Sequence, residues 1–313
     1  MSIEKIIAQL TNLEHKLDFH HPIEINDEIA AYLKFYGLDF PHVEFNLGKL
    51  VVDGTEISVQ IFSPKKSKAT VFLLHGYLNH VGHLNKMIKH LTQLNYRVIS
   101  YDLQGHGLSN GERATVTSFT DYVTTLEGLM EKVKIEMPDP FYVIGHSTGG
   151  AIIIDYLLKN RFHPFDKVIL LAPLVRSNHW YLTKAAYGLI QVIPFIKRVR
   201  RQIKKRTMSK EYVAFLKSDP LQPKAIPLSW LRALMEWNKT IHHYPPLSTE
   251  MLIIQGNKDD TVEWPYNLSF LNKRFGNATI ILLDEGQHEL INGNAETREI
   301  LFSKIEKFLN DSL

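Results

Sequence analysis

The chain has 313 residues, of which 44% are hydrophobic and 22% charged, with a net charge of +3 and no cysteine. That length suits one large α/β domain or a core with a subdomain, and the lack of cysteine excludes disulfides, thiolate catalysis and cysteine metal sites. No run of 18 apolar residues occurs, and the N-terminus MSIEKIIAQLTNLEHK has early acids and no apolar stretch before a cleavage site, so neither a spanning helix nor a signal peptide is expected, and the missing cysteines fit the expectation of a cytoplasmic protein.

Two helices are predicted first, over Ile3–Leu17 and Asn26–Phe35, packed on the outside of the core. VEFNLGKLVV and TEISVQIF, joined by Asp53-Gly54, predict a hairpin. ATVFLLHG reads as a buried strand. A helix near His83–Leu94, the strand YRVISYD and a helix near Phe119–Glu136 come next. FYVIG is a strand, Gly149–Lys159 a helix and KVILLAP a strand. After Pro173 about seventy residues show no clear strand; then MLIIQG, a helix near Pro265–Phe275, the strand ATIILLD and a helix over Ala295–Leu309 resume the pattern. Strands alternating with such helices imply a mainly parallel sheet covered on both faces.

The interruption differs in composition. Residues 174–247 hold 14 Lys/Arg against 3 Asp/Glu, a net +11, while the remainder carries −8. A shift of this size predicts an inserted, mostly helical cap over 174–247. The expected division is an N-terminal extension over 1–42, a core over 43–173 and 248–313, and this cap.

FYVIGHSTGG is then a strand, a sharp turn and a helix start. Gly145 and Gly149 flank Ser147 at the spacing of a nucleophile elbow, where small residues allow strand and helix to pack closely. A serine hydroxyl needs a base. Of 15 histidines, His288 in LLDEGQHEL follows the last predicted strand, and that places it on the edge of the sheet where ligands bind. His146 is read as structural. The orienting acid is expected in IIQGNKDDTV, at Asp259 rather than Asp260; Asp102 and Asp284 are read as structural. The order Ser147, Asp259, His288 matches the α/β-hydrolase arrangement. The oxyanion of a tetrahedral intermediate needs donors, for which the amides of Thr148 and Tyr77 are candidates. Tyr77 is also a candidate pocket wall, and His75 a support for its loop.

These segments resemble the α/β-hydrolases of the monoacylglycerol lipase and lysophospholipase kind, also called serine aminopeptidase-like. FLLHGYLNHVGH resembles the family's oxyanion segment and YDLQGHGLSNGERATVTSFTDYV its next strand and loop. GHSTGG, GNKDDTV and EGQH carry the nucleophile, acid and base positions. The likeness covers about Val43–Leu309 with a loosely matched cap. It implies a triad of Ser147, Asp259 and His288, oxyanion amides from Tyr77 and Thr148, and an ester-cleaving enzyme without a cofactor or metal. The family's frequent acid after the oxyanion glycine is missing, because Asn79-His80 stands there, and the helices before Val43 fall outside the usual pattern.

Other readings are weaker. GHGLSNG fits no dinucleotide spacing, and His15, His20, His21, His242 and His243 form no metal motif. IKRVRRQIKKR holds seven Lys/Arg in eleven residues without a nucleic-acid recognition motif, so a solvated face is the plain alternative. Trp180, Tyr181, Tyr187, Leu189, Ile190, Ile193 and Phe195 precede it, and apolar area beside positive charge suits an anionic membrane surface. A serine amidase or aminopeptidase and a catalytically inactive interaction protein on the same fold are the competing functions.

Overall fold

Apolar strands separated by amphipathic helices can bury their residues only by stacking in layers. The computed structural model describes residues 2–138, 140–190, 195–201 and 208–311. Helices α1 (Ile3–Thr11) and α2 (Asp27–Tyr36) precede the hairpin of β1 (Val43–Val52) and β2 (Thr55–Pro64). Asp53 and Gly54 both have positive φ, 45° and 75°, as a two-residue turn matched to strand twist requires. The alternating part runs through β3 (Ala69–Leu74), α3 (Asn85–Gln93), β4 (Tyr96–Tyr101), α4 (Phe119–Glu136), β5 (Phe141–His146), α5 (Thr148–Lys159) and β6 (Phe165–Leu171). It resumes with β9 (Met251–Gly256), α9 (Trp264–Arg274), β10 (Ala278–Leu283) and α10 (Ala295–Asn310).

Eight strands form one sheet in the order β1-β2-β4-β3-β5-β6-β9-β10. The pairs β1–β2 and β2–β4 are antiparallel, and the remaining neighbours are parallel. Every residue of β3 and β9 is buried, as expected of strands covered on both faces. Alternate side chains serve opposite layers. Phe72 and Leu74 join α4, α5 and α9, whereas Val71 and Leu73 join α2, α3 and α10.

Two expectations are corrected. The first helix ends at Thr11 and not at Leu17. Residues 15–17 instead pair with the edge of β1, where Lys49 N donates to His15 O at 2.7 Å and Leu17 N to Lys49 O at 3.2 Å. An open strand edge competes for backbone groups that a helix would otherwise use. The interrupted region is also not free of strands. Between β6 and β9 lie α6 (Trp180–Ile190), β7 (Arg198–Arg200), α7 (Lys210–Ser218), β8 (Ala225–Pro227) and α8 (Leu228–Thr240), and β7 pairs with β8 in an antiparallel ladder. Three-residue strands are too short to show a period in sequence. The fold is thus a mostly parallel sheet flanked by helices, with an inserted helical region: the α/β-hydrolase fold.

Candidate active site

The central strand β5 ends in a turn that glycine alone permits. A Cβ on Gly145 would lie 2.5 Å from Ile153 Cδ1 and 2.6 Å from the Gly149 carbonyl carbon, and one on Gly149 would lie 2.5 Å from Leu74 O. Between them Ser147 adopts φ 52°, ψ −110°, a region that is costly for any residue with a side chain and is held only by its surroundings. The hold is visible: Ser147 N donates to Leu171 O at 2.9 Å, and Ser147 O accepts from Ala151 N and Leu174 N at 3.0 and 3.1 Å.

The structure brings the three sequence candidates together. His288 Nε2 lies 3.0 Å from Ser147 Oγ, and His288 Nδ1 lies 2.8 Å from Asp259 Oδ2. The loop after β9 supplies Asp259, and the loop after β10 supplies His288. Asp259 also accepts from Gln255 Nε2 at 2.9 Å, Thr261 N at 2.8 Å and Val262 N at 3.2 Å. Burial would raise its carboxyl, but the charge and hydrogen bond of His288 and the donors Gln255 and Thr261 outweigh that and hold it at about 2. Burial would lower His288, yet the carboxylates of Asp259, Glu289 and Asp260 raise it above its usual range. An ionised Asp259 can only accept, so Nδ1 donates to it, and in the neutral ring Nε2 faces the serine hydroxyl with a lone pair.

The two oxyanion candidates flank Ser147. Thr148 opens α5, so its amide has no partner within the helix. Tyr77 follows Gly76, and a Cβ on Gly76 would stand 3.2 Å from Ser147 Cβ. Among the described residues neither amide donates to a protein acceptor. His75 donates from Nδ1 to Gly76 O at 2.8 Å and accepts the Leu103 amide at 2.9 Å, so it supports the loop. The Tyr77 ring lies on Trp230 at 3.6 Å between centroids. The residues read as structural are so placed: Asp102 accepts the amides of Val81 and Leu108, both at 2.8 Å, and Asp284 accepts from Asn257.

A cavity of about 550 Å³ opens on Ser147 and His288, a size typical of small-molecule sites. Its apolar wall comes largely from the inserted region, with Tyr187, Ile190, Ile226, Leu231 and Leu234. Polar groups on it include Arg201, Asp260 and Glu289. Sequence reading overlooked Glu289. Its side chain is buried and accepts from Asn79 Nδ2 at 3.3 Å, so a carboxylate does stand beside the oxyanion segment, supplied from the residue after His288. Gln255 was also overlooked; neither carries a local motif, and only the fold reveals them.

Residues 65–295 match the family model described as serine aminopeptidase, S33. The chain is 29% identical to the monoglyceride lipase of Rattus norvegicus over 232 residues, 71% of this chain and 73% of that protein. It is 24% identical to a phospholipase of Bacillus subtilis (strain 168), covering 65% of this chain and 81% of the relative. In three dimensions it is similar to a soluble variant of monoglyceride lipase from Saccharomyces cerevisiae, with a TM-score of 0.75 and 19% identity over 87% of this chain and 96% of the other. With the family model spanning most of its length, the chain belongs to the serine aminopeptidase S33 family of α/β-hydrolases, and to the general class of serine hydrolases and esterases within it.

Proposed function

We propose that this protein hydrolyses carboxylic esters of lipid size through an acyl-enzyme on Ser147. The observation that carries the reading is the hydrogen-bonded chain Ser147–His288–Asp259, with Ser147 and His288 lining an apolar cavity. His288 takes the Ser147 proton as Oγ attacks the ester carbonyl, and Asp259 stabilises the imidazolium. The amides of Tyr77 and Thr148 meet the oxyanion. His288 then protonates the departing alcohol, and a water activated by the same imidazole releases the fatty acid. No step calls for a cofactor or a metal.

The domain division proposed is the extension 1–42, the core 43–173 with 248–313, and the cap 174–247. In it the cap selects substrate. Each buried CH₂ is worth about 0.8 kcal/mol, so p-nitrophenyl esters should be cleaved faster as the acyl chain lengthens. Monoacylglycerol is the substrate we favour, in line with the monoglyceride lipases among the relatives, and lysophospholipid is the second, a single-chain lipid ester with the phosphate head group that the phospholipase relative suggests. On the cavity wall Arg201 would draw a phosphate head group, and Glu289 would oppose it.

The exposed apolar residues favour a second property, peripheral contact with an anionic membrane. Tyr181, Leu182, Leu189 and Phe195 are 69%, 69%, 71% and 91% exposed, beside exposed Lys197, Arg198 and Arg200. Trp180 faces inward and Tyr187 and Ile190 line the cavity, while Ile193 and the end of the basic run lie outside the described residues. No helix among the described residues is long and apolar enough to cross a membrane.

The deciding experiment compares wild type with Ser147→Ala on monoacylglycerol, lysophosphatidylcholine and an aminoacyl amide. The variant should keep its fold and lose nearly all ester turnover, and a fluorophosphonate should label wild type once, at Ser147. An adduct elsewhere, or an alanine variant that still turns over, overturns the nucleophile. Efficient amide cleavage with weak ester cleavage moves the protein to the aminopeptidase side of its family.

A further inference from the structure

The turn that carries the Tyr77 amide is anchored in the inserted region. Asn79 N donates to Gly76 O at 3.1 Å and closes the turn, with Leu78 at φ 64°. A left-handed leucine is disfavoured and needs its surroundings to hold it. His80 and His83 come directly after it. Their Nε2 atoms lie 2.8 and 3.0 Å from one oxygen of Asp219, and none of the three side chains is exposed. Asp219 sits just after α7, 139 residues from His80.

The contact between His80 and Asp219 has a defined direction. His80 Nδ1 accepts the Gly82 amide at 3.1 Å, so its Nε2 carries the hydrogen and donates to Asp219. The ligand atoms of His80, His83 and Asp219 lie within 4.8 Å of one another, but this tautomer leaves Nε2 of His80 no lone pair for a metal ion. The second Asp219 oxygen accepts from Tyr36 OH at 2.8 Å and Leu221 N at 3.0 Å. Burial would raise this carboxyl, but the two histidines outweigh it and hold it well below the usual range. It is an ionised acceptor whose donors come from α2, from the oxyanion loop and from its own segment. On the other side of the loop Val81 N is fixed by Asp102, and the Tyr77 ring is covered by Trp230, which also belongs to the inserted region.

We propose that Asp219 is a positioning residue, which holds the Tyr77 amide at the oxyanion through His80. The proposal rests on the esterase reading. It ties the seating of the inserted region to the rate of the chemical step, and not only to substrate choice.

The test measures Asp219→Asn, Tyr36→Phe, His80→Ala and His80→Gln. Readouts are kcat and KM on a long-chain p-nitrophenyl ester, inhibition by a long-chain trifluoromethyl ketone, binding of the matching fatty acid, and Tm. Removing an oxyanion donor altogether costs about 10²–10³ in kcat. Asp219→Asn, which displaces one, should lower kcat roughly 10- to 100-fold with KM within about threefold. Affinity for the ketone, which forms a tetrahedral adduct, should fall in parallel, while fatty-acid binding stays. Tyr36→Phe removes a donor to the far oxygen, so Tm should fall with kcat kept within about twofold of wild type. His80→Gln, whose amide can still donate, should retain more activity than His80→Ala. A folded Asp219→Asn with unchanged kcat and ketone affinity overturns the proposal, as do losses in Asp219→Asn and Tyr36→Phe that simply follow Tm. If Asp219→Asn does not fold, the His80 pair decides, and wild-type kcat in His80→Ala overturns it. Failure of the esterase reading would show separately, as wild type that is not labelled at Ser147 or that cleaves the ester only weakly.

Discussion

His146 Nε2 lies 2.9 Å from the main-chain oxygen of His288, so the residue before the candidate nucleophile braces the loop that carries the candidate base. Burial lowers the His146 pKa, which keeps the ring neutral with its hydrogen on Nε2 toward that oxygen. A hydrogen bond of this kind is worth about 0.5–1.5 kcal/mol. His146→Ala should therefore lower kcat/KM by roughly two- to tenfold, with Ser147 still labelled by fluorophosphonate. Complete loss of labelling would mean that His146 does more than brace.

Asp259 and Asp260 are adjacent, but only Asp259 faces His288 Nδ1, at 2.8 Å. Asp259→Asn should favour the wrong imidazole tautomer and cut kcat by about 10⁴. Asp260, on the cavity wall, should tolerate the same change with little loss. Parallel turnover measurements decide the assignment, and a large loss confined to Asp260→Asn reverses it.

The acid limb of the pH–rate profile follows from His288. As a general base it must be neutral, and its pKa is raised, burial being outweighed by Asp259, Glu289 and Asp260. Activity should rise with pH through a midpoint above the ordinary histidine value of about 6.5 and fall away below it. Glu289→Gln removes one of the raising charges, so the midpoint should move to lower pH. A kcat/KM profile that does not move contradicts the shared field.

The exposed residues Leu189 and Phe195 carry the membrane reading. Leu189→Ser with Phe195→Ser should reduce co-sedimentation with anionic vesicles and leave hydrolysis of a short soluble ester within about twofold, the change expected of surface substitutions. High salt should weaken the wild-type association, since exposed charges are screened. Equal binding by the double variant would remove these apolar residues from the contact, and wild type that does not sediment with the vesicles would reduce the basic stretch to a solvated face.

Several features could be read before any tertiary contact was known. Each rests on spacing along the chain: Gly145-x-Ser147-x-Gly149 between strand and helix, the order Ser147, Asp259, His288, and the apolar runs that became β3, β5 and β9. A turn or a strand is a local conformation, and the sterics of neighbouring residues mark it in sequence. Other features join residues that no local rule connects. Asp219 meets His80 across 139 residues, His146 meets His288 across 142 and Asn79 meets Glu289 across 210. Likewise one apolar stretch was divided by packing, with Trp180 turned inward and Leu189 left in solvent. Burying a carboxylate is costly until its donors arrive, and those donors come from α2 and from the loop after β3. Only the folded chain brings them to Asp219.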